Sequence, residues 1–445
     1  MPALPSWRRA AVVGALCAVA LGWVALRHSL PVNGAQAASG ADPDAPMSGR
    51  PNLAADDAAP GAATSSPPLT WPAAHHAADP EGRLLAIYRL IGQDRLDEAL
   101  RAARALTDDV PNFQLAQLTY ADLLMARSGK ASAFGSAWGD TGPDVAARLA
   151  QLREEALQRI AALQYAPPAG TVPSQFLALA PSVKHAIAVD ASRSRLYLFS
   201  NEDGHLKLEA NFYVSVGRLG VRKRAEGDQR TPVGVYFITS RLSASQLKDF
   251  YGIGALPLNY PNEYDRRLGK TGGGIWLHGV PPDSYARSPQ STDGCVVLSN
   301  QDLSTLLSQI TPRATPVVIA EHLDWRAPSA LRPDRMQVLS LLKSWQQARE
   351  SGDLQRLLSF YSPQFSNGSQ DFSQWASELR KEVGREAHTV DEVKDLSVLR
   401  WRDRSDILVL TFAELRAGSR TGHIKRQYWG KENGSWKIFY EGVLG

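Results

Sequence analysis

Changes in hydrophobic periodicity divide the chain into five stretches. Ala10 to Leu26 is apolar throughout and follows Trp7-Arg8-Arg9. A positive flank before an apolar run predicts a secretory signal or an N-terminal anchor. The run is 17 residues, which just reaches the lower limit for a spanning helix. Ala35-Gln36-Ala37 is a candidate cleavage site, but it lies far from Leu26, so an uncleaved anchor is preferred. Either outcome exports the remainder, with Arg8 and Arg9 left inside. After this leader (1–37), residues 38–79 are rich in Ala, Pro, Gly, Ser and Asp without periodicity, and read as a disordered tether. His75-His76 lies there and reads as solvated.

Residues 80–165 carry helical spacing. Leu84, Ile87, Leu90 and Ile91 share a face, as do Leu96, Ala99, Leu100 and Ala103, and then Leu115, Leu118 and Leu123. Gly92 and Gly129 punctuate the segments. The stretch from Gly92 to Leu100, with Pro111 and Tyr120-Ala121-Asp122-Leu123-Leu124, resembles a tetratricopeptide repeat over little more than one unit. One unit cannot bury its faces alone. A helical spacer and a partner-binding repeat both fit.

From Lys184 the period falls to two. Ala186 to Asp190 and Arg195 to Phe199 read as strands around an Asp190-Ala191-Ser192-Arg193 turn. Further strands are expected at Phe212–Val216, Val233–Thr239, Gly274–His278, Cys295–Leu298 and Pro316–Ala320, with one helix from Asp302 to Ile310. This predicts a β-rich sandwich or barrel over 183–321. In 332–445, helices at Met336–Glu350 and Leu354–Tyr361 precede strands at Asp395–Arg402, Ile407–Leu415, His423–Gly430 and Ser435–Glu441. Asn433-Gly434 is a strong hairpin signal. Helices followed by a curved antiparallel sheet indicate a separate α+β domain. This region, with Trp345, Tyr361, Phe365, Trp429 and Trp436, resembles the cone-shaped nuclear transport factor and SnoaL-like fold. The fold class is therefore multidomain: a helical repeat-like segment, a β-rich domain and a cone-shaped α+β domain.

With 44% hydrophobic and 21% charged residues the chain has the composition of a folded protein, and a net charge of +4 without basic runs argues against nucleic acid. No histidine–carboxylate spacing suggests a metal, and no cofactor is expected. Cys17 lies in the leader, so Cys295 is the one cysteine left to the exported part. It cannot form an internal disulfide there and reads as a bystander or a reactive thiol. His278 closes the apolar run Ile275-Trp276-Leu277, and 17 residues later Cys295 follows Thr292-Asp293-Gly294. A thiolate is the nucleophile, and an imidazole can generate it by taking the proton.

Segment 184–321 resembles the catalytic domain of the L,D-transpeptidases, the YkuD-type family. Val189 to Leu198 resembles the family's first hairpin, and Val214-Ser215-Val216-Gly217 its second element. Glu226 to Tyr236 contains a Thr231-Pro232-Val233-Gly234-Val235-Tyr236 strand like the family's. His278-Gly279 and Ser291-Thr292-Asp293-Gly294-Cys295 complete the order. Two positions depart from the pattern. Asp293 stands where histidine is commonest, and Val297 where Arg or Asn is usual.

The resemblance implies Cys295 as nucleophile and His278 as base, passing through a thiolate–imidazolium pair to an acyl-thioester. Gly294 and Cys295 amides would form the oxyanion site, Gly279 would orient His278 through its carbonyl, and Asp293 and Thr292 would tune the thiolate, contact substrate or shape the turn. The implied partner is the tetrapeptide stem of peptidoglycan, attacked at its third residue with loss of D-Ala. The acceptor stays open among another stem's amine, a lipoprotein, a D-amino acid and water. Two other readings also stay open: a thiol hydrolase, and a non-catalytic wall-binding scaffold. The location implied is the periplasm or cell envelope, membrane-bound if the leader is uncleaved, with an envelope protein as a partner for the helical or C-terminal domain.

Overall fold

The structure is a computed structural model and describes residues 79–129, 134–135, 142–386, 391–416 and 422–444. The export segment, the tether and His75-His76 lie outside the described residues. Among the described residues, no helix is long and apolar enough to cross a membrane.

Four helices open the described chain: Pro80–Gly92, Leu96–Asp109, Gln114–Arg127 and Pro143–Gln164. The first begins where Pro80 follows Asp79, whose carboxylate accepts the Gly82 amide at 2.6 Å. Leu84, Ile87, Ala103, Leu106, Leu118 and Leu152 bury their stripes in one cluster. That cluster also takes in Tyr285 from the β-rich domain, so the helices are docked rather than free.

The β-rich domain is a sandwich. Its five-stranded sheet runs His205–Tyr213, Arg195–Glu202, His185–Asp190, Pro316–Ala320, Gly234–Phe237. The four-stranded sheet runs Val296–Val297, Trp276–His278, Gly254–Pro257, Leu242–Ser243. Strand alternation puts Ile187, Val189, Leu196 and Leu198 on the inner face of the first sheet, against Leu256, Leu277 and Val296 of the second. The two sheets touch at the isolated bridges Ile238–Leu258 and Ser215–Val297 but are not continuous, so the sandwich alternative holds and there is no closed barrel among the described residues. The helix expected at Asp302–Ile310 spans Asn300–Gln309, capped by Ser299.

The C-terminal domain pairs four long antiparallel strands, Asp391–Arg402, Asp406–Arg416, Gly422–Glu432 and Ser435–Leu444. Asn433 and Gly434 turn the last hairpin with φ of 48° and 81°, as that dipeptide predicts. Helices Arg332–Glu350, Leu354–Leu358 and Phe372–Glu386 cover one face of the sheet, where Trp345, Phe412 and Trp429 are buried. The third of these was not expected.

A fifth strand, Phe176–Ala178, comes from ahead of the sandwich and joins the sheet edge at Asp391–Arg402. The other sheet face packs on the sandwich: Leu399, Trp401, Val409, Tyr428 and Phe439 share a cluster with Ala186, Tyr197 and Phe237.

Candidate active site

His278 and Cys295 are set by a short parallel ladder. Leu277 pairs with Val296 and His278 with Val297. Leu277 and Val296 point into the sandwich core. By alternation, Cys295, Trp276 and His278 share the opposite face. Cys295, immediately before the strand Val296–Val297, thus lies on the same face as His278 of the adjacent strand. The sulfur lies 3.4 Å from the Gly274 carbonyl and is partly exposed, whereas His278 is 1% exposed.

His278 is oriented by its own successor. Nδ1 lies 2.7 Å from the Gly279 carbonyl, which only accepts, so Nδ1 carries the proton and Nε2 is left as the basic nitrogen. Gly279 is held in turn: its amide donates to Tyr251 O at 3.1 Å, and Asn300 Oδ1 would lie 2.1 Å from any Cβ there. Tyr251 stands edge-on to the imidazole, ring centres 5.0 Å apart. Burial pushes the His278 pKa down to about 4, against the Gly279 bond, with Arg287 pushing the same way as burial. Burial also pushes the Cys295 thiol up, opposed by the Trp276 amide and by Arg287. Both shifts favour the uncharged forms, so the thiolate–imidazolium pair that the resemblance implies is one formed during attack.

The turn before Cys295 needs its glycine. Gly294 has φ of +127°, and a Cβ would sit 2.7 Å from the Arg230 carbonyl. Thr231 Oγ1 donates to Gly294 O at 2.9 Å and accepts the Gly217 amide at 2.8 Å, tying the turn to the Thr231-Pro232 segment. Thr292 closes the turn: its hydroxyl donates to Cys295 O at 2.7 Å and accepts the Gly294 amide at 3.1 Å. The Gly294 N–H is thus engaged within the turn. Asp293 is 76% exposed and lies 3.6 Å from Arg218, while its charge opposes ionisation of Cys295. It is not among the groups acting on His278.

Arg287 is the site residue that residue patterns did not single out. It sits between the two ladder strands in sequence, its guanidinium is 4.3 Å from the Phe250 ring, and its charge acts on both His278 and Cys295. Burial lowers its pKa, and the Cys295 and Asp293 charges oppose that shift. The position two residues after Cys295 is the buried Val297, so the cation comes from another loop. That loop is held by the sandwich, where the Tyr213 hydroxyl donates to Arg287 O at 2.9 Å, and by the helices. Tyr285 N donates to Asn112 O at 3.2 Å, Asn112 Nδ2 donates to Pro282 O at 3.0 Å, and the Tyr285 ring lies 4.0 Å from Phe113. No group of His, Cys, Asp and Glu among the described residues is arranged to hold a metal.

Residues 184–319 match the YkuD family, the L,D-transpeptidase catalytic domain. Residues 337–442 match the Cds6 C-terminal NTF2-like domain. No curated protein matches the chain in sequence. Among solved structures, Bd1075 from Bdellovibrio bacteriovorus is similar, with 24% identity, a TM-score of 0.54, and coverage of 62% of this chain and 98% of that one. The helical cell shape determining protein Pgp2 from Campylobacter jejuni is also similar, with 24% identity, a TM-score of 0.50, and coverage of 61% and 95%. At this identity the two structures establish a shared fold. The chain carries a YkuD-family L,D-transpeptidase catalytic domain followed by an NTF2-like domain of the Cds6 C-terminal type.

Proposed function

We propose that the protein is a cysteine L,D-transpeptidase acting on peptidoglycan stem peptides in the cell envelope. The observation that carries this reading is the ladder that sets Cys295 and His278 on one face, with His278 Nε2 left as a base, inside a domain matching the L,D-transpeptidases. The Cys295 proton passes to His278 Nε2 as the sulfur attacks the carbonyl of the third stem residue. A C–S bond forms and the C–N bond to D-Ala breaks, with His278 returning the proton to the leaving amine. The thioester is then opened by the side-chain amine of a second stem, giving a cross-link between third residues.

The Cys295 amide is the oxyanion donor we assign, since the Gly294 amide is engaged by Thr292. Arg287 stabilises the developing thiolate and, through it, the attack. One structural neighbour is named as a determinant of helical cell shape. Changing stem cross-links changes wall geometry, and we assign this protein a comparable role in cell shape.

The test is to incubate the purified full chain, unaltered and with Cys295→Ala, with disaccharide-tetrapeptide and to identify products by mass. A cross-linked dimer with released D-Ala, absent in the variant, supports transpeptidation. D-Ala released without a dimer moves the assignment to hydrolysis by the same thiol. No Cys295-dependent product leaves the scaffold reading.

A further inference from the structure

A groove runs between the sandwich and the outer face of the C-terminal sheet, away from Cys295. Its volume is about 310 Å³, and Phe237, Pro312, Leu399, Thr411, Ile424 and Arg426 are among the residues that line it. That size falls in the ~300–1,000 Å³ range of small-molecule sites. Its mouth is apolar as well, with Ile424 50% exposed.

Arg426 is the unusual element. It is 6% exposed, and its Nε donates to Thr411 Oγ1 at 2.9 Å. Its guanidinium carbon lies 3.2 Å from the centre of the Phe237 ring. It makes no ion pair among the described residues. Burial pushes its pKa down to about 10, and the groups that oppose the shift are two tyrosines rather than a carboxylate. It therefore remains charged at neutral pH. Its neighbour Lys425, on the other face of the same strand, shows the contrast: Glu414 and Glu441 lie 2.5 and 3.3 Å from its ammonium.

A buried cation without an anion is costly, and a fold keeps one where an anion can arrive. The rim adds one cation, Arg313, and one anion, Asp395, so the lining carries one net positive charge, that of Arg426. The other polar groups of the lining are few. Thr411 Oγ1 takes the Arg426 N–H, and Ser397 Oγ accepts the Ala180 amide at 3.0 Å. A peptide in the groove would leave its amides short of partners, whereas an aliphatic stem would not.

We propose that this groove binds a small aliphatic carboxylate, with the carboxylate on the terminal nitrogens of Arg426 and the stem against Phe237, Leu399 and Ile424. The probe is hexanoate, titrated calorimetrically into the purified full chain, with hexanol and N-acetyl-leucine as comparisons. Hexanoate should bind saturably, and hexanol at least about tenfold more weakly, the loss set by a charge-assisted hydrogen bond. Arg426→Gln should weaken hexanoate by a similar factor and leave hexanol unchanged. The contrast between hexanoate and hexanol on the unaltered protein needs no variant, so it decides the matter even if Arg426→Gln does not fold. Absence of hexanoate binding, or equal binding of hexanoate and hexanol, overturns the proposal. Tighter binding of N-acetyl-leucine than of hexanoate overturns the aliphatic assignment. The readout is binding, so the result stands apart from the reaction assigned to Cys295.

Discussion

Glu81 ties the N-terminal helices to the β-rich domain through Arg195, and replacing it with methionine should weaken that docking. Its carboxylate takes both terminal nitrogens of Arg195, at 3.1 and 2.7 Å, and one of Arg159, at 2.9 Å. Arg159 also pairs with Glu155 at 2.8 Å. The side chains of Arg159, Arg195 and Glu81 are 1%, 3% and 8% exposed. Two cations thus balance two carboxylates in a space closed to water. Glu81→Met leaves two buried guanidiniums and one carboxylate. Breaking a buried pair by removing one partner costs about 3–5 kcal/mol, most of it the penalty of the stranded charge. Arg195 bears that penalty most directly, because Asn211 Oδ1, at 3.3 Å, is the other acceptor its side chain reaches. The double variant Glu81→Met/Arg195→Met restores the balance of charge. Its loss should fall below the sum of the single losses by about 2 kcal/mol or more. Hydrogen exchange of the amides in residues 80–127, together with urea unfolding followed by circular dichroism, reads both quantities. A single-variant loss under about 1 kcal/mol, or a double-variant loss equal to the sum, would refute the stranded-charge account.

Three further outcomes follow from the site. Gly294→Ala places a Cβ 2.7 Å from the Arg230 carbonyl at φ of +127°, so the Cys295 turn must shift. Acylation, followed by mass of the acyl-enzyme, should slow by roughly a hundredfold, and a rate near that of the unaltered protein would show that the turn accommodates the methyl. Arg287→Met removes the cation that favours the Cys295 thiolate, so iodoacetamide should alkylate Cys295 about tenfold more slowly at neutral pH; an unchanged rate would remove Arg287 from the site. His278 titrates at about 4 in the fold against 6.5 unfolded. The unfolded chain therefore takes the proton first, and stability falls as pH drops from 6.5 to about 4, by about 3 kcal/mol in total. His278→Asn should flatten that part of the pH profile, and an unchanged slope would assign it to other groups.

What could be read from the chain alone was local. The Asn433-Gly434 turn depends on two residues and their backbone angles, and it lies where the dipeptide puts it. The strands carrying His278 and Cys295 are marked by adjacent apolar residues, and their common face follows from alternation once the ladder is known. The strand Phe176–Ala178 was not legible, because three residues carry little period and its partner Asp391–Arg402 lies far along the chain. The helix Phe372–Glu386 shows a thin apolar stripe, Phe372, Trp375 and Leu379, which becomes a signal only against the sheet that covers it. Arg287 was hidden for a further reason. Its loop has no periodicity, and its position is shared between Tyr213 of the sandwich, whose hydroxyl donates to Arg287 O at 2.9 Å, and Asn112 and Phe113 of the helical segment, through Pro282 and Tyr285. Cys295 and His278 are thus marked by short motifs, whereas the charge beside them sits on a loop that takes part of its support from a contact between domains. Substitutions at Asn112 or Phe113, remote from Cys295 in sequence, should therefore alter the reactivity of the thiol while leaving the His278–Cys295 ladder in place.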